Sequence, residues 1–119
     1  MEVPILRQGH YLIATILAAL SDADLINLQD SLVGLVAKHR SKGVIIDVTA
    51  LDVVDSFATR TLRSLAHMVR LRGAETVICG IQPEVAFTMV QLGLTLEGIV
   101  TALDLEEGLV HLNKRTAKK

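Results

Sequence analysis

Half of the 119 residues are apolar but only 3% are aromatic, so the chain can fill one aliphatic core and has little with which to stack bases. The formal net charge of -1 leaves no large single-sign field to steer nucleic acid or a membrane surface. Cys79 is the lone cysteine, which excludes an internal disulfide and fits a reducing, cytoplasmic setting. The most apolar stretch, Leu12 to Leu20, falls short of the roughly 20 residues that a membrane-spanning helix needs. Glu2 and Pro4 come early, and no basic stretch leads into a small-residue cleavage site, so no secretory leader is expected.

Neither a Ser/Gly/Pro-rich linker nor an internal repeat divides the sequence, and residues 1–119 read as one domain. Ile5-Leu6 and Tyr11 to Ile16 read as short strands reversed at Gln8-Gly9-His10, a β-hairpin. Ser21-Asp22-Ala23-Asp24 has the form of a capping box, with Ser21 as N-cap and Asp24 at the third helical position. Leu25, Leu28, Leu32, Leu35 and Val36 follow at helical spacing, Ile26 and Val33 widen the stripe, and the helix stops before Gly43. Val44 to Val48 is a β-branched run typical of a central strand covered on both faces.

A second helix is predicted from Ser56 to Arg72, with Ala58, Leu62, Leu65 and Val69 inward, Arg60, Arg63, Arg70 and Arg72 outward, and Gly73 as its stop. Thr76 to Cys79 is another buried strand. Gly80-Ile81-Gln82-Pro83 turns the chain into a third helix, with Pro83 suited to the first helical position, and Gly93 closes it. A short strand near Ile99 to Ala102 follows. Asp104 to Glu107 then forms a capping box for a last helix carrying Leu105, Leu109 and Leu112. The basic end, Asn113 to Lys119, reads as a solvated, frayed tail. A hairpin followed by alternating helices and strands predicts an α/β fold on a mixed, mostly parallel sheet with about four helices.

Little in the sequence supports catalysis. Neither GxxxxGK[ST] nor GxGxxG occurs, and the glycines stand singly at turns. His10, His39, His67 and His111 lie on different elements without metal-ligand spacing, so no metal is expected. Ser56 stands at a strand-to-helix turn, but a nucleophile elbow needs glycines two before and two after, where Val54 and Ala58 stand. Asp47, Asp52 and Asp55 suggest an acidic pocket for Mg²⁺, as in a phospho-acceptor receiver, yet the early strands lack the acidic pair that such a pocket uses. Cys79, at the end of a buried strand, reads as packed rather than reactive.

The run Gly43 to Leu62, GVIIDVTALDVVDSFATRTL, and the run Gly73 to Gly93, GAETVICGIQPEVAFTMVQLG, resemble the STAS domain, the fold of bacterial anti-sigma-factor antagonists. The resemblance extends to Thr101 to Leu112 and so covers nearly the whole chain. Within the family it points to the single-domain RsbS type of stressosome scaffold, since the sequence opens at the first strand without a sensor domain ahead of it.

The resemblance implies a protein without catalytic residues or cofactor, phosphorylated by a partner kinase at the serine that starts the second helix. That role falls on Ser56, with Thr59 one turn on as a weaker candidate. It also implies an RsbT-like serine kinase as a sequestered partner, RsbR-like paralogues in a large hetero-assembly, an RsbX-like phosphatase to reset the state, and self-association as a dimer. A simple one-to-one anti-anti-sigma factor is the second reading, and nucleotide binding a remote third.

As a helix N-cap, Ser56 would accept the N–H of Ala58 or Thr59. As a phosphosite, it would carry its charge beside Asp52 and Asp55, which with Phe57 form the expected docking surface. Phe57, placed at the first helical position, either packs inward or joins that surface. Arg60 and Arg63 contact either a neighbour or water.

Overall fold

The computed structural model describes residues 2–116. The chain runs β1 (Ile5–Gln8), β2 (Tyr11–Thr15), α1 (Asp22–His39), β3 (Gly43–Asp47), α2 (Ser56–Arg70), β4 (Glu75–Cys79), α3 (Pro83–Gln91), β5 (Val100–Ala102) and α4 (Leu105–Thr116). One five-stranded sheet has its strands in chain order; β1 is antiparallel to β2 and every later pair is parallel. The hairpin turns at Gly9, whose φ of 59° lies where glycine is the favoured residue.

The period-two alternation of strand side chains divides the core into two layers. Leu12, Ala14 and Ile16, with Val44, Ile46 and Val48 and then Ile78, face a layer built from α1, α2 and α3. Ile13, Ile45, Val77 and Cys79 face the other way, onto α4 through Leu112. The middle of β3 is therefore sealed on both sides, with Val44, Ile45 and Ile46 fully buried. Helix α4 lies close to the sheet because two glycines admit it. A Cβ on Gly43 would come within 2.7 Å of the Leu112 side chain, and Gly108 is buried against Val77 and Ile45.

Local signals explain most boundaries. The Ser21 hydroxyl accepts the N–H of Asp24 while the Asp24 carboxylate accepts that of Ser21, the reciprocal capping box that starts α1. Helix α1 ends through Arg40 in the left-handed region rather than through a glycine. Pro83 opens α3 at its first turn. At α4, Asp104 accepts the N–H of Glu107, whereas the Glu107 carboxylate reaches one residue further back, to the N–H of Leu103.

Three expectations need correction. Helix α2 stops at Arg70, and Ala58 is only half-buried while Thr59, Thr61 and Ala66 join Leu62, Leu65 and Val69 on its inner face. Asn113 to Thr116 are helical rather than frayed: the Tyr11 hydroxyl donates to Asn113 Oδ1 at 2.7 Å and bonds the Thr116 hydroxyl at 2.9 Å, and Arg115 pairs with Glu75 at 3.4 Å. The rest of the expected tail, residues 117–119, lies outside the described residues. The third correction concerns Ser56 itself.

Candidate functional site

The site is the loop from Val48 to Asp55 and the first turn of α2, at the carboxyl end of β3. Asp55, not Ser56, caps the helix. Its backbone is extended, and its carboxylate accepts the N–H of Ala58 at 2.8 Å. Both residues are strong N-cap formers, and once Asp55 takes the role Ser56 moves to the first helical position. There its side chain is exposed, and among the described residues its hydroxyl makes no hydrogen bond. Phe57 is consequently the second helical residue and is half-buried.

Thr59 is in a different situation. It is 1% exposed, and its hydroxyl donates to the Asp55 carbonyl at 2.8 Å. The Ser56 side chain is open to solvent and the Thr59 hydroxyl is not. Thr61 repeats the Thr59 pattern, with its hydroxyl on the Phe57 carbonyl at 2.9 Å. Such bonds satisfy a buried hydroxyl inside a helix without any partner outside it.

The loop is anchored by contacts that the sequence did not disclose. The Asp47 carboxylate accepts both the backbone N–H of Thr49, at 3.0 Å, and its hydroxyl, at 2.6 Å. The Gln82 amide donates to the Thr49 carbonyl at 2.7 Å, which ties this loop to the turn before α3. Gly80 completes the join: its φ is 82°, and a Cβ there would lie 2.0 Å from the Thr49 hydroxyl. The Gly80-Ile81-Gln82-Pro83 turn thus holds the loop that presents Ser56. Leu51 and Val54 are buried beneath that loop, which leaves Asp52, Val53, Asp55 and Ser56 outward.

A groove of about 410 Å³ separates this acidic lip from α3, with Val85, Thr88, Leu92 and Leu94 as its far wall. Arg63 closes one end by donating to the carbonyl and hydroxyl of Thr95, both at 3.3 Å, and Arg70 donates to the Gly98 carbonyl further along. Two of the expected surface arginines are therefore straps between α2 and the segment after α3, while Arg60 is exposed. Asp47 faces the α4 side of the sheet and is separated from Asp52 and Asp55 by the chain reversal at Thr49. Among the described residues no group of three or more His, Cys, Asp or Glu could hold a metal ion.

Cys79 is fully buried. Burial, and then the charges of Asp47 and Asp104, push its thiol up to about 11, the state of a packing residue and not of a nucleophile. No helix among the described residues is long and apolar enough to cross a membrane.

A mixed sheet opened by a hairpin, with three helices on one face and a fourth on the other, defines a class of small α/β domain, here with an exposed serine at the first turn of the helix after β3. The chain belongs to the STAS domain family, which it matches over residues 3–108. It superposes on a serine-to-glutamate variant of Moorella thermoacetica RsbS with a TM-score of 0.83 at 37% identity, covering 100% of both chains. It also superposes, with a TM-score of 0.74 at 36% identity, on a chain from a structure of the molecular architecture of the stressosome, covering 98% of this chain and 100% of that one. Over 92 residues it is 36% identical to the RsbT co-antagonist protein RsbRA of Bacillus subtilis, a match covering 77% of this chain and 34% of that protein. The chain therefore spans about a third of that longer relative.

Proposed function

We propose that this domain is a non-catalytic scaffold and phosphorylation switch of a stressosome-type assembly. With its Ser56 hydroxyl bare it holds an RsbT-like serine kinase, and phosphate on Ser56 releases that kinase. The observation that carries this reading is the state of Ser56: exposed, at the amino end of a helix, with a hydroxyl that neither caps the helix nor bonds elsewhere among the described residues. A phosphoryl group can be added there without dismantling the cap, because Asp55 supplies it.

The local electrostatics limit what phosphate does inside the domain. It brings a charge of about -1.5 to -2 at neutral pH. The helix terminus favours an anion by about 0.3–1 kcal/mol, and Asp52 and Asp55 oppose it. A like-charge pair about 6 Å apart costs roughly 3 kcal/mol at an effective dielectric near 20, and less where water reaches it. The two effects offset one another while the loop is solvated. A docked kinase excludes that water, so the repulsion falls on the complex; about 3 kcal/mol there weakens binding more than a hundredfold. The acidic lip thus widens the difference between the bare hydroxyl and its phosphate.

The identity to RsbS over the full chain supports the scaffold reading over a one-to-one antagonist, and the RsbRA relationship supports co-assembly with RsbR-like paralogues. In this scheme an RsbX-like phosphatase resets Ser56 in the cytoplasm, and homodimers are the unit that joins the shell. Binding of the cognate kinase to Ser56→Ala and Ser56→Asp tests the switch. The alanine variant keeps wild-type affinity and the aspartate variant loses it; equal, wild-type-like affinity for both overturns the proposal. Peptide mapping after kinase treatment places the phosphate on Ser56 and none on Thr59.

A further inference from the structure

Helix α3 carries large apolar residues on the side that faces away from the core as well as on the side that faces it. Val85 and Met89 are its buried residues, yet Phe87, on the opposite side of the helix, is 64% exposed and Val90 is 77% exposed. Glu84, Thr88 and Gln91 are exposed beside them. The helix forms a ridge between two grooves. One is the groove beside Ser56; the other, of about 500 Å³, runs toward β5 and is lined by Val90, Leu94, Leu96 and Leu103. Leu94 lines both. With exposed Val53, Leu92 and Leu103, the ridge makes a continuous apolar band from the acidic lip across α3 to the start of α4.

The rim of the band is acidic. Asp52 stands at one end, Glu84 lies on the first turn of α3, Glu97 follows it, and Asp104 and Glu107 stand at the other end. Arg63 and Arg70 keep their charge while they donate to carbonyls, and Arg60 is exposed one turn beyond Ser56, so carboxylates outnumber cations around the band without being alone there. A two-fold contact through this surface would bring together two patches of net negative charge, because such an interface presents the same patch from both copies. The charge pattern selects a different protein, with an apolar centre ringed by Lys or Arg.

We infer that the crest of α3, Phe87 and Val90, is a second anchor for the same partner that reads Ser56, and that the partner meets it with an apolar patch ringed by basic side chains. This rests on the reading of Ser56 above and adds a part of the contact that phosphate does not touch. The groove wall carrying Val53 and Ser56 responds to modification, while the crest of α3 sets the affinity that remains afterwards.

The test uses the full chain with the RsbT-type kinase of the same organism as probe. The double variant Phe87→Ser, Val90→Ser binds about thirtyfold or more weakly, the size expected for removing an interface hot spot, with an unchanged thermal melt. Leu103→Ser, at the far groove, weakens binding less and in the same direction, and added salt weakens the wild-type complex. Should the double variant bind like wild type while Ser56→Asp still weakens the complex, the α3 anchor is wrong and the Ser56 reading stands. The reverse pattern removes the Ser56 reading and keeps the anchor. A fall in the sedimentation mass of the chain alone, caused by the double variant, would assign the crest to a second copy and overturn the inference.

Discussion

Helices α2 and α3 lie on the same face of the same sheet and differ in how complete they are. Helix α2 buries Thr59, Thr61, Leu62, Leu65, Ala66 and Val69, and turns Arg60, Ser64, His67 and Arg70 to solvent with one large apolar residue, Met68, at 40% exposure. It is finished by folding. Helix α3 buries two residues and leaves Phe87 and Val90 in water. In the proposed complex a partner covers them. Two helices in one layer thus serve different ends: one holds the domain together and supplies the rigid mount for Ser56, the other offers area for a contact.

The contrast can be broken by substitution. Leu65→Ala on α2, at a position 1% exposed, costs about 2–5 kcal/mol of stability in denaturant unfolding. A cost near zero would mean that α2 is not the packed member of the pair. Gly80→Ala, at the turn joining the two helices' loops, combines a left-handed φ with a collision against Thr49 and lowers stability by about 2–3 kcal/mol, measured by the same denaturant unfolding.

Alkaline pH probes the sheet beneath both helices. Cys79 titrates near 11 in the fold against about 9 when unfolded, so the unfolded chain loses its proton first and stability falls as pH rises from about 9 to 11. Cys79→Ala flattens that part of the pH profile. Asp55→Ala removes the cap of α2 and costs about 1 kcal/mol. At the small end stand Ser56→Ala and Phe87→Ser. Each shifts stability by less than about 0.5 kcal/mol, because neither side chain supports the fold, while each is expected to alter the partner complex.

What the sequence disclosed followed the range of the interaction. The capping box at Ser21 and Asp24, Pro83 at the start of α3 and the buried run of β3 are set by neighbours within a few residues or by strand composition, and they stand where their pattern puts them. At α2 the local rule was ambiguous, since Asp55 and Ser56 are both good caps; the geometry of the incoming loop gave the cap to the earlier one. Thr59 looked available on spacing alone because a helical wheel does not say where the sheet lies. The four residues at Asn113 to Thr116 looked frayed because their anchor, Tyr11, is about a hundred positions away. Gln82 and the groove wall on α3 were hidden for the same reason: they meet Ser56's loop only after the α2 crossover brings β3 and β4 side by side.

That tyrosine has a practical consequence. Tyr11 is the sole Tyr in a sequence without Trp, so near-ultraviolet emission from this protein reports chiefly on the seam where the last turn of α4 is latched to β2. Fluorescence and far-ultraviolet dichroism therefore watch different events, the unlatching of one helix and the loss of the whole backbone ladder. Where their melting curves part company, α4 peels away before the sheet gives way.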